Sequence, residues 1–337
     1  MEKKMEKKGK DRRDFLKVTA AASAATLFAP AIARAQGKFP NGPVQLVVPF
    51  KTGGGSDRTF RLFAPYLQKE LGVPVNVINI AGGGGWVAWQ QMAKWDPAKD
   101  DHILGTLNFP HMFSYLDPRM KRSENTESFN FIAWHSLDPC IWAIRDKEDR
   151  FDDLKSFIEY VQKNPNQVIM STTAVGSDDH MGIAFAEKFI ENFKVRKVYA
   201  NSDKKKINEV INATTDAVAG NVGFYVPFML ERQLKPICVL HDERYEALPS
   251  TRTFEEVTGQ RNISFAGRTI VCAPGLAGEK KAIFADAIKK AMNNPEYLAK
   301  ESKNKNNIFY LEGDDLKAKI EETRKFVESV KFWEQKT

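Results

Sequence analysis

Three short loops rich in glycine or serine each lie between a predicted strand and a predicted helix. The first is Gly53–Asp57, the second is Gly82–Gly85 and the third is Thr172–Asp178. Glycine lets the backbone approach a ligand closely, and the N–H groups in the first turn of a helix have no acceptor within the helix. Together with the helix dipole, these groups favour an anion. The repeated arrangement therefore predicts that the loops bind a small anion.

The segments around the loops alternate between strand and helix patterns. Val44–Pro49 is an apolar run ended by proline, and the helix after it is predicted to have Ser56 or Asp57 at its N-cap. The apolar runs Phe131–Trp134 and Ile141–Ile144 predict two short buried strands. This alternation predicts an α/β fold with mainly parallel sheets, in which ligand-binding loops lie at the carboxyl ends of the strands.

The positive charge of the chain is concentrated near its beginning. The sequence has 50 Lys and Arg against 43 Asp and Glu, which gives a formal net charge of +7. Residues 1–35 contain nine of the basic and four of the acidic residues, so 41 basic and 39 acidic residues remain behind them. Because the rest of the chain is close to neutral, its charge does not indicate a nucleic-acid partner.

Residues 1–35 have the order of an export signal. Asp11–Lys17 reads DRRDFLK and resembles the twin-arginine export motif, Val18–Ile32 is apolar and rich in alanine, and Ala33–Ala35 is a small-x-small cleavage pattern. The apolar stretch is shorter than the roughly 20 residues that span a bilayer. We expect a twin-arginine signal peptide at 1–35 and a periplasmic mature protein; the alternative is a basic amphipathic anchor that stays attached.

Known catalytic and cofactor motifs do not fit the loops. Gly53–Asp57 lacks the Lys-Ser/Thr of a P-loop, and the glycines at Gly82–Gly85 lack the acidic residue of a dinucleotide site, since Asn108 ends the next strand. The five histidines have no ligand spacing. The sequence therefore predicts no catalytic residue, metal or cofactor. Three cysteines are too few for a disulfide framework, although Cys140 and Cys238 would pair if the fold brought them together.

Four segments, in order, resemble the periplasmic receptors of tripartite tricarboxylate transporters, often called Bug proteins. Pro49–Asp57 is similar to the family's P-x-x-x-G-G-x-x-D, and Ala81–Gly85 is similar to P-G-A-G-G. Gly176–His180 resembles the end of the third loop, G-S-x-x-H, and Leu248–Glu256 resembles L-P-x-x-P-T-x-x-E. The resemblance covers nearly the whole chain after residue 35.

The resemblance implies a type II periplasmic-binding fold, in which two α/β domains close on a ligand in the cleft between them. Residues 36–139 and 270–337 would form domain I, and residues 140–269 would form domain II. It also implies a monomeric, non-catalytic receptor that captures a small carboxylate and delivers it to membrane transporter subunits. Two other function classes stay open: an exported α/β enzyme, and a ligand sensor for a membrane-bound regulator.

Family ligands are held largely by backbone amides and ordered waters, which implies a set of binding residues here. Residues 54–57 would cradle one carboxylate, with Gly83 and Gly84 on its other side, and Thr172 and Ser177 would contribute from the opposite domain. Within the cradle, Asp57 would cap the helix more readily than it would touch an anion directly. The interpretations of Trp86 and Trp89 as core residues and of Lys204–Lys206 as a solvated face are favoured over binding roles. The full predicted set is Phe50, Thr52, Gly54, Gly55, Ser56, Asp57, Gly83, Gly84, Asn108, Thr172, Ser177 and Tyr225.

Overall fold

A computed structural model describes residues 38–200, 202–303 and 308–334. The chain divides into Met1–Lys38 and Phe39–Thr337, and the elements given below all belong to the second unit. The predicted signal peptide at 1–35 lies outside the described residues. None of the helices in the described ranges combines the length and the hydrophobicity that crossing a bilayer requires.

Strands and α-helices alternate along most of this chain. The strands of the described ranges are β1 (Val44–Val48), β2 (Val75–Asn79), β3 (Ile103–Phe109), β4 (Asn130–Arg145), β5 (Ile169–Thr172), β6 (Arg196–Tyr199), β7 (Ala217–Asn221), β8 (Leu234–Leu240), β9 (Phe265–Cys272) and β10 (Ile308–Leu311). The α-helices of the same ranges are α1 (Gly55–Leu71), α2 (Trp86–Met92), α3 (Leu154–Lys163), α4 (Asp178–Phe189), α5 (Asp203–Ile211), α6 (Val222–Leu230), α7 (Phe254–Thr258), α8 (Gly278–Met292), α9 (Pro295–Lys303) and α10 (Gly313–Val330).

One long strand links the two halves of the sheet. The strand order is β2-β1-β3-β9-β4-β7-β5-β6, and both β8 and β10 pair with β4. Residues 130–139 of β4 pair with β9, whereas residues 140–145 pair with β7 and β8. The prediction of two separate strands in this region is therefore wrong. The polar residues between the two apolar runs, Asp138 among them, interrupt the hydrophobic pattern while the backbone continues as a strand.

The sheet is mixed, which corrects the prediction of mainly parallel sheets. The pairs β1–β2, β1–β3, β5–β6 and β5–β7 are parallel, as strand–helix alternation predicts. Every pair that involves β4 or β9 is antiparallel. Strand β4 leaves the first half of the sheet and β9 returns to it, so these neighbouring strands run in opposite directions.

The core contains several large aromatic side chains. Trp89, Trp134 and Trp142 have no exposed surface, and Trp86 is 4% exposed. The indole N–H of Trp89 donates to the Thr106 carbonyl at 3.1 Å, which satisfies the polar atom of this buried ring. The interpretation of Trp86 and Trp89 as core residues is confirmed.

Lys206 is buried, which corrects its assignment to a solvated face. Its ammonium group lies 2.8 Å from an Asp179 carboxylate oxygen and 3.0 Å from an Asp203 oxygen. It also donates to the Thr173 hydroxyl and the Ala219 carbonyl. Burial lowers the pKa of Lys206, but the charges of the two aspartates outweigh it and raise the pKa well above its ordinary value. Lys206 is thus a charged structural residue beneath the third loop.

We expect Lys206→Met to destabilise the fold by about 3–5 kcal/mol, because it leaves the Asp179 carboxylate buried without its cation. The free energy of unfolding from denaturant titration measures this. Lys205→Met is the matched control, since the Lys205 side chain is 64% exposed and exposed ion pairs contribute about 0–1 kcal/mol. Equal losses for the two variants would contradict the structural role of Lys206.

Candidate ligand-binding cleft

The first glycine loop ends at the start of helix α1. Gly53 has a φ of +84°, which favours glycine, and Gly54 is the N-cap residue with an extended backbone and no side-chain cap. The prediction of Ser56 or Asp57 as N-cap is therefore wrong by two to three positions. The N–H groups of Gly55 and Ser56 lie in the first helical turn, where the helix offers no acceptor and the dipole is positive. This loop therefore presents donors to an anion.

Asp57 holds the loop in shape from behind. Its carboxylate accepts hydrogen bonds from the Gly53 N–H at 2.8 Å, from Arg61 Nε at 2.9 Å and from Asn79 Nδ2 at 2.8 Å. Burial raises the pKa of Asp57, but these hydrogen bonds and the Arg61 charge outweigh it and lower the pKa below its ordinary value. Asp57 is 1% exposed and fixes the position of the first loop.

A cavity of about 230 Å³ lies in front of this loop and is called the cleft cavity below. Its volume is near the lower end of ligand pockets and suits a small molecule. Its walls come from the first loop, from the ends of β3, β5 and β7, and from β9. The lining residues are Phe50, Lys51, Thr52, Gly53, Gly54, Gly55, Ser56, Asn108, His111, Thr173, Asp178, Ser202, Asp203, Lys204, Asn221, Phe224, Ala266 and Arg268.

The Ser56 hydroxyl is prepared to donate a hydrogen bond. Its oxygen accepts from Asn108 Nδ2 at 3.2 Å and from Arg268 Nε at 3.3 Å. A serine hydroxyl has two lone pairs and one hydrogen. Because both lone pairs are engaged, the hydrogen is left for an acceptor such as a carboxylate.

Arg268 places a buried guanidinium at the same end of the cleft cavity. It is 4% exposed, and its Nη2 lies 3.3 Å from an Asp138 carboxylate oxygen. Burial raises the pKa of Asp138, which the Arg268 charge and the hydrogen bond from the Gly223 N–H partly oppose. A Cβ on Gly55 would lie 3.2 Å from Nη2, so glycine at this position gives the guanidinium room.

Asp178 and Asn221 form another part of the cavity wall. The Asp178 carboxylate accepts from Asn221 Nδ2 at 2.6 Å and from Cys140 Sγ at 3.2 Å. Burial and the neighbouring Asp179 charge raise the pKa of Asp178 to about 6, against the effect of these two hydrogen bonds. Burial also raises the pKa of the Cys140 thiol well above its ordinary value. Cys140 and Cys238 are both free thiols and do not form a disulfide bond.

The second glycine loop supports the cleft cavity indirectly. Gly84 has a φ of +66°, and a Cβ there would lie 2.5 Å from His111 Cε1. His111 lines the cavity, and burial followed by the Arg122 charge lowers its pKa to about 3, so the imidazole is neutral. Within the described residues, no three His, Cys, Asp or Glu side chains are grouped as a metal site requires.

The structure brings together half of the predicted binding residues. Those that line the cleft cavity are Phe50, Thr52, Gly54, Gly55, Ser56 and Asn108. Those outside its lining are Asp57, Gly83, Gly84, Thr172, Ser177 and Tyr225. Ser177 caps helix α4 by accepting from the His180 N–H.

Thr172 and Tyr225 are buried, and the adjacent Thr173 and Phe224 line the cavity instead. Sequence reasoning also missed Asp178, Asn221 and Arg268 as cavity residues. Asn221 ends a strand, which is a detectable signal in an α/β chain. Arg268 was detectable as an arginine two residues before the apolar run Ile270–Cys272 that ends β9.

This chain is similar in sequence to two UPF0065 proteins. The UPF0065 protein in the gbd 5' region of Cupriavidus necator is 25% identical over 285 residues, which are 82% of this chain and 83% of that protein. The UPF0065 protein in the tcbD-tcbE intergenic region of Pseudomonas sp. strain P51 is 22% identical over 221 residues, 66% of this chain and 65% of that protein. The chain thus spans slightly less than two thirds of the second relative.

Two solved structures have the same fold. MatC (Rpa3494) from Rhodopseudomonas palustris with bound malate has a TM-score of 0.75 and 20% identity, covering 88% of this chain and 99% of that one. Rpa4515 from R. palustris with adipate has a TM-score of 0.76 and 17% identity, covering 88% and 98%. The fold is that of the two-domain periplasmic solute-binding proteins.

A family profile covers most of the chain. Residues 59–330 match the tripartite tricarboxylate transporter family receptor, TctC. The matched range contains β9 with Arg268, the third loop and most of helix α1. The chain therefore belongs to the family of tripartite tricarboxylate transporter receptors.

Proposed function

We propose that the protein captures a small carboxylate in the cleft cavity and delivers it to a tripartite transporter in the membrane. The observation that carries this proposal is the convergence of donors at one end of the cavity. The first-turn N–H groups of α1, the Ser56 hydroxyl and the Arg268 guanidinium all belong to that end. The malate and adipate bound by the two R. palustris proteins support a carboxylate as the ligand class.

These donors would bind a carboxylate without catalysing a reaction of it. One oxygen would accept from the N–H groups of Gly55 and Ser56, and the other from the Ser56 hydroxyl and the Arg268 guanidinium. Hydrogen bonds to a charged group each contribute about 1.5–3 kcal/mol. Such a set gives reversible binding, because no bond in the ligand is broken.

The groups nearest the cleft cavity favour binding over catalysis. The Cys140 thiol contacts Asp178, which lines the cleft cavity. Burial raises the pKa of this thiol well above its ordinary value. A thiol in that state is a poor nucleophile. His111 is neutral and packed against Gly84. These states support the receptor function over an exported enzyme.

The two walls would move together around the ligand as a hinged clamp. We assign residues 36–139 and 270–337 to domain I and residues 140–269 to domain II, since β4 and β9 cross near these bounds. Arg58 on α1 lies over the Phe224 ring on α6, with 4.5 Å from Cζ to the ring centroid. This cation–π contact joins residues of the two proposed domains at the cavity.

Receptors of this family are periplasmic, and the first 35 residues support the twin-arginine route as the means of export. We further propose that the mature protein works as a monomer. Both proposals are open to direct measurement.

We expect a panel of small carboxylates to raise the Tm of the mature protein, because a ligand that binds only the folded state stabilises it by about 2.7 kcal/mol at 100 times its Kd. Ser56→Ala should weaken binding of the best ligand about tenfold or more, because it removes a donor to a charged group. Calorimetric titration measures the Kd. Ser156→Ala is the control, since Ser156 lies in the first turn of α3 outside the cavity lining. No Tm shift with any carboxylate would refute the proposed function.

We expect a double substitution, Arg12→Lys with Arg13→Lys, to leave the precursor uncleaved and inside the cell, because the twin-arginine route reads the arginine pair. Cell fractionation and the N-terminal sequence of the product measure this. The control is Lys7→Arg with Lys8→Arg, which exchanges two basic residues outside the motif without changing the net charge. Export of both variants at the wild-type level would argue for a different route.

A further inference from the structure

Asp178 lines the cleft cavity without a cationic partner. Its two side-chain hydrogen bonds come from the neutral donors Asn221 and Cys140. Among the described residues, no Lys or Arg nitrogen lies within 4.0 Å of its carboxylate. The aspartates around it differ: Asp203 and Asp179 bind Lys206, and Asp138 binds Arg268. Asp178 is therefore a carboxylate at the cavity whose charge the protein leaves without an ion pair.

A second acceptor in the same cavity has no partner. Asn108 is 6% exposed, and its Nδ2 is used on Ser56. Its Oδ1 is buried and has no hydrogen-bond partner in the structure. A buried acceptor left without a donor costs about 1–3 kcal/mol. Asn108 Oδ1 is closed off from the cavity surface, so Asp178 is the acceptor that a ligand in the cavity can reach.

The surrounding cations make no ion pair with Asp178 in the described residues. Burial raises the pKa of Asp178 and the Lys206 charge opposes this rise, but the ammonium group of Lys206 is paired with Asp179 and Asp203. Arg268 is paired with Asp138. Lys51 in the first loop and Lys204 on α5 also line the cavity, and both are exposed. Two further titratable groups near Asp178 carry no charge: Cys140 on β4, whose pKa is raised, and His111, whose lowered pKa keeps it neutral.

We propose, building on the carboxylate-receptor function above, that Asp178 determines specificity by accepting from an ammonium group on the ligand. The cleft cavity then takes an aminocarboxylate. Its carboxylate binds Gly55, Ser56 and Arg268, and its ammonium group binds Asp178. A dicarboxylate would instead place its second negative charge against Asp178, and like charges in a partly desolvated site repel.

The first test compares ligands of matched length on the mature protein. The pairs are 4-aminobutyrate with succinate and 5-aminopentanoate with glutarate, together with α-amino acids. We expect an aminocarboxylate to bind about tenfold or more tightly than the dicarboxylate of its pair, as an ion pair replaces a like-charge contact. Tighter binding of the dicarboxylates would overturn the role of Asp178 and leave the carboxylate-receptor function intact. Binding of neither class would refute both.

The second test substitutes the acceptor. Asp178→Asn should weaken aminocarboxylate binding about tenfold or more and strengthen binding of the matched dicarboxylate. Asp146→Asn is the control, because it removes the same charge from an exposed residue outside the cavity lining. Equal effects of the two variants, or no effect of Asp178→Asn, would contradict the proposal.

The third test uses pH and does not depend on a variant. The charges of 4-aminobutyrate stay constant between about pH 5.5 and pH 8, so a change in Kd reports a group on the protein. With a pKa of about 6 for Asp178, affinity for this probe should fall about fourfold from pH 8 to pH 5.5 as the carboxylate is protonated. An affinity that is constant or rises towards low pH would overturn the assignment.

The Tm of the ligand-free protein tests the role of Asp178 even if the variant no longer binds a ligand. The pKa of Asp178 is raised in the folded state, so its ionised form destabilises the fold above that pKa, and the cost disappears below the unfolded-state value. Asp178→Asn should therefore raise the Tm of the ligand-free protein by a few degrees at about pH 8 and leave it nearly unchanged at about pH 4. A lower Tm at pH 8 would mark Asp178 as a structural residue.

Discussion

The buried ion pair between Arg268 and Asp138 joins the two strands that cross between the halves of the molecule. Arg268 lies on β9 and Asp138 on β4, and both are at least nine-tenths buried. Taking two charges out of water costs several kcal/mol per ion, which their attraction at best offsets. The pair therefore fixes the position of the Arg268 guanidinium more than it stabilises the fold. It holds a guanidinium beside Ser56 where helix α1 begins, and glycine at position 55 leaves the space.

In the part of the cavity wall that contains Asp178, the charges are compensated in a different way. Behind it, the Lys206 ammonium satisfies Asp179 and Asp203, and this buried cluster holds the third loop against α5. In front of it, Asp178 receives only neutral donors. The cleft cavity is thus lined both by the donors around Ser56 and by the carboxylate of Asp178, which has no ion pair. This difference would orient a small polar ligand, because Asp178 repels the carboxylate that the donors attract.

The sequence predicted the parts of the cavity that depend on local structure. Gly54, Gly55 and Ser56 line it because a glycine loop before a helix presents its first-turn N–H groups whatever the distant chain does. The errors at Thr172 and Tyr225 are displacements by one residue to Thr173 and Phe224. Neighbouring side chains point in different directions on a strand or a helix, and the phase is set by what the element packs against. The single strand β4 was read as two, because its polar middle is stabilised by partners distant in sequence.

The sequence by itself determined the α/β alternation, the three small-residue loops, the leader-like first 35 residues and the resemblance to one receptor family. These depend on residues close together in the chain. The tertiary structure alone decided that Arg268 meets Ser56 across 212 positions, that Lys206 is buried, and that Asp178 faces the cavity without a cation. Charge compensation depends on which distant side chains come within a few ångströms of each other. These contacts cannot be read from the order of residues along the chain, because the crossing of β4 and β9 brings together residues that are distant in sequence.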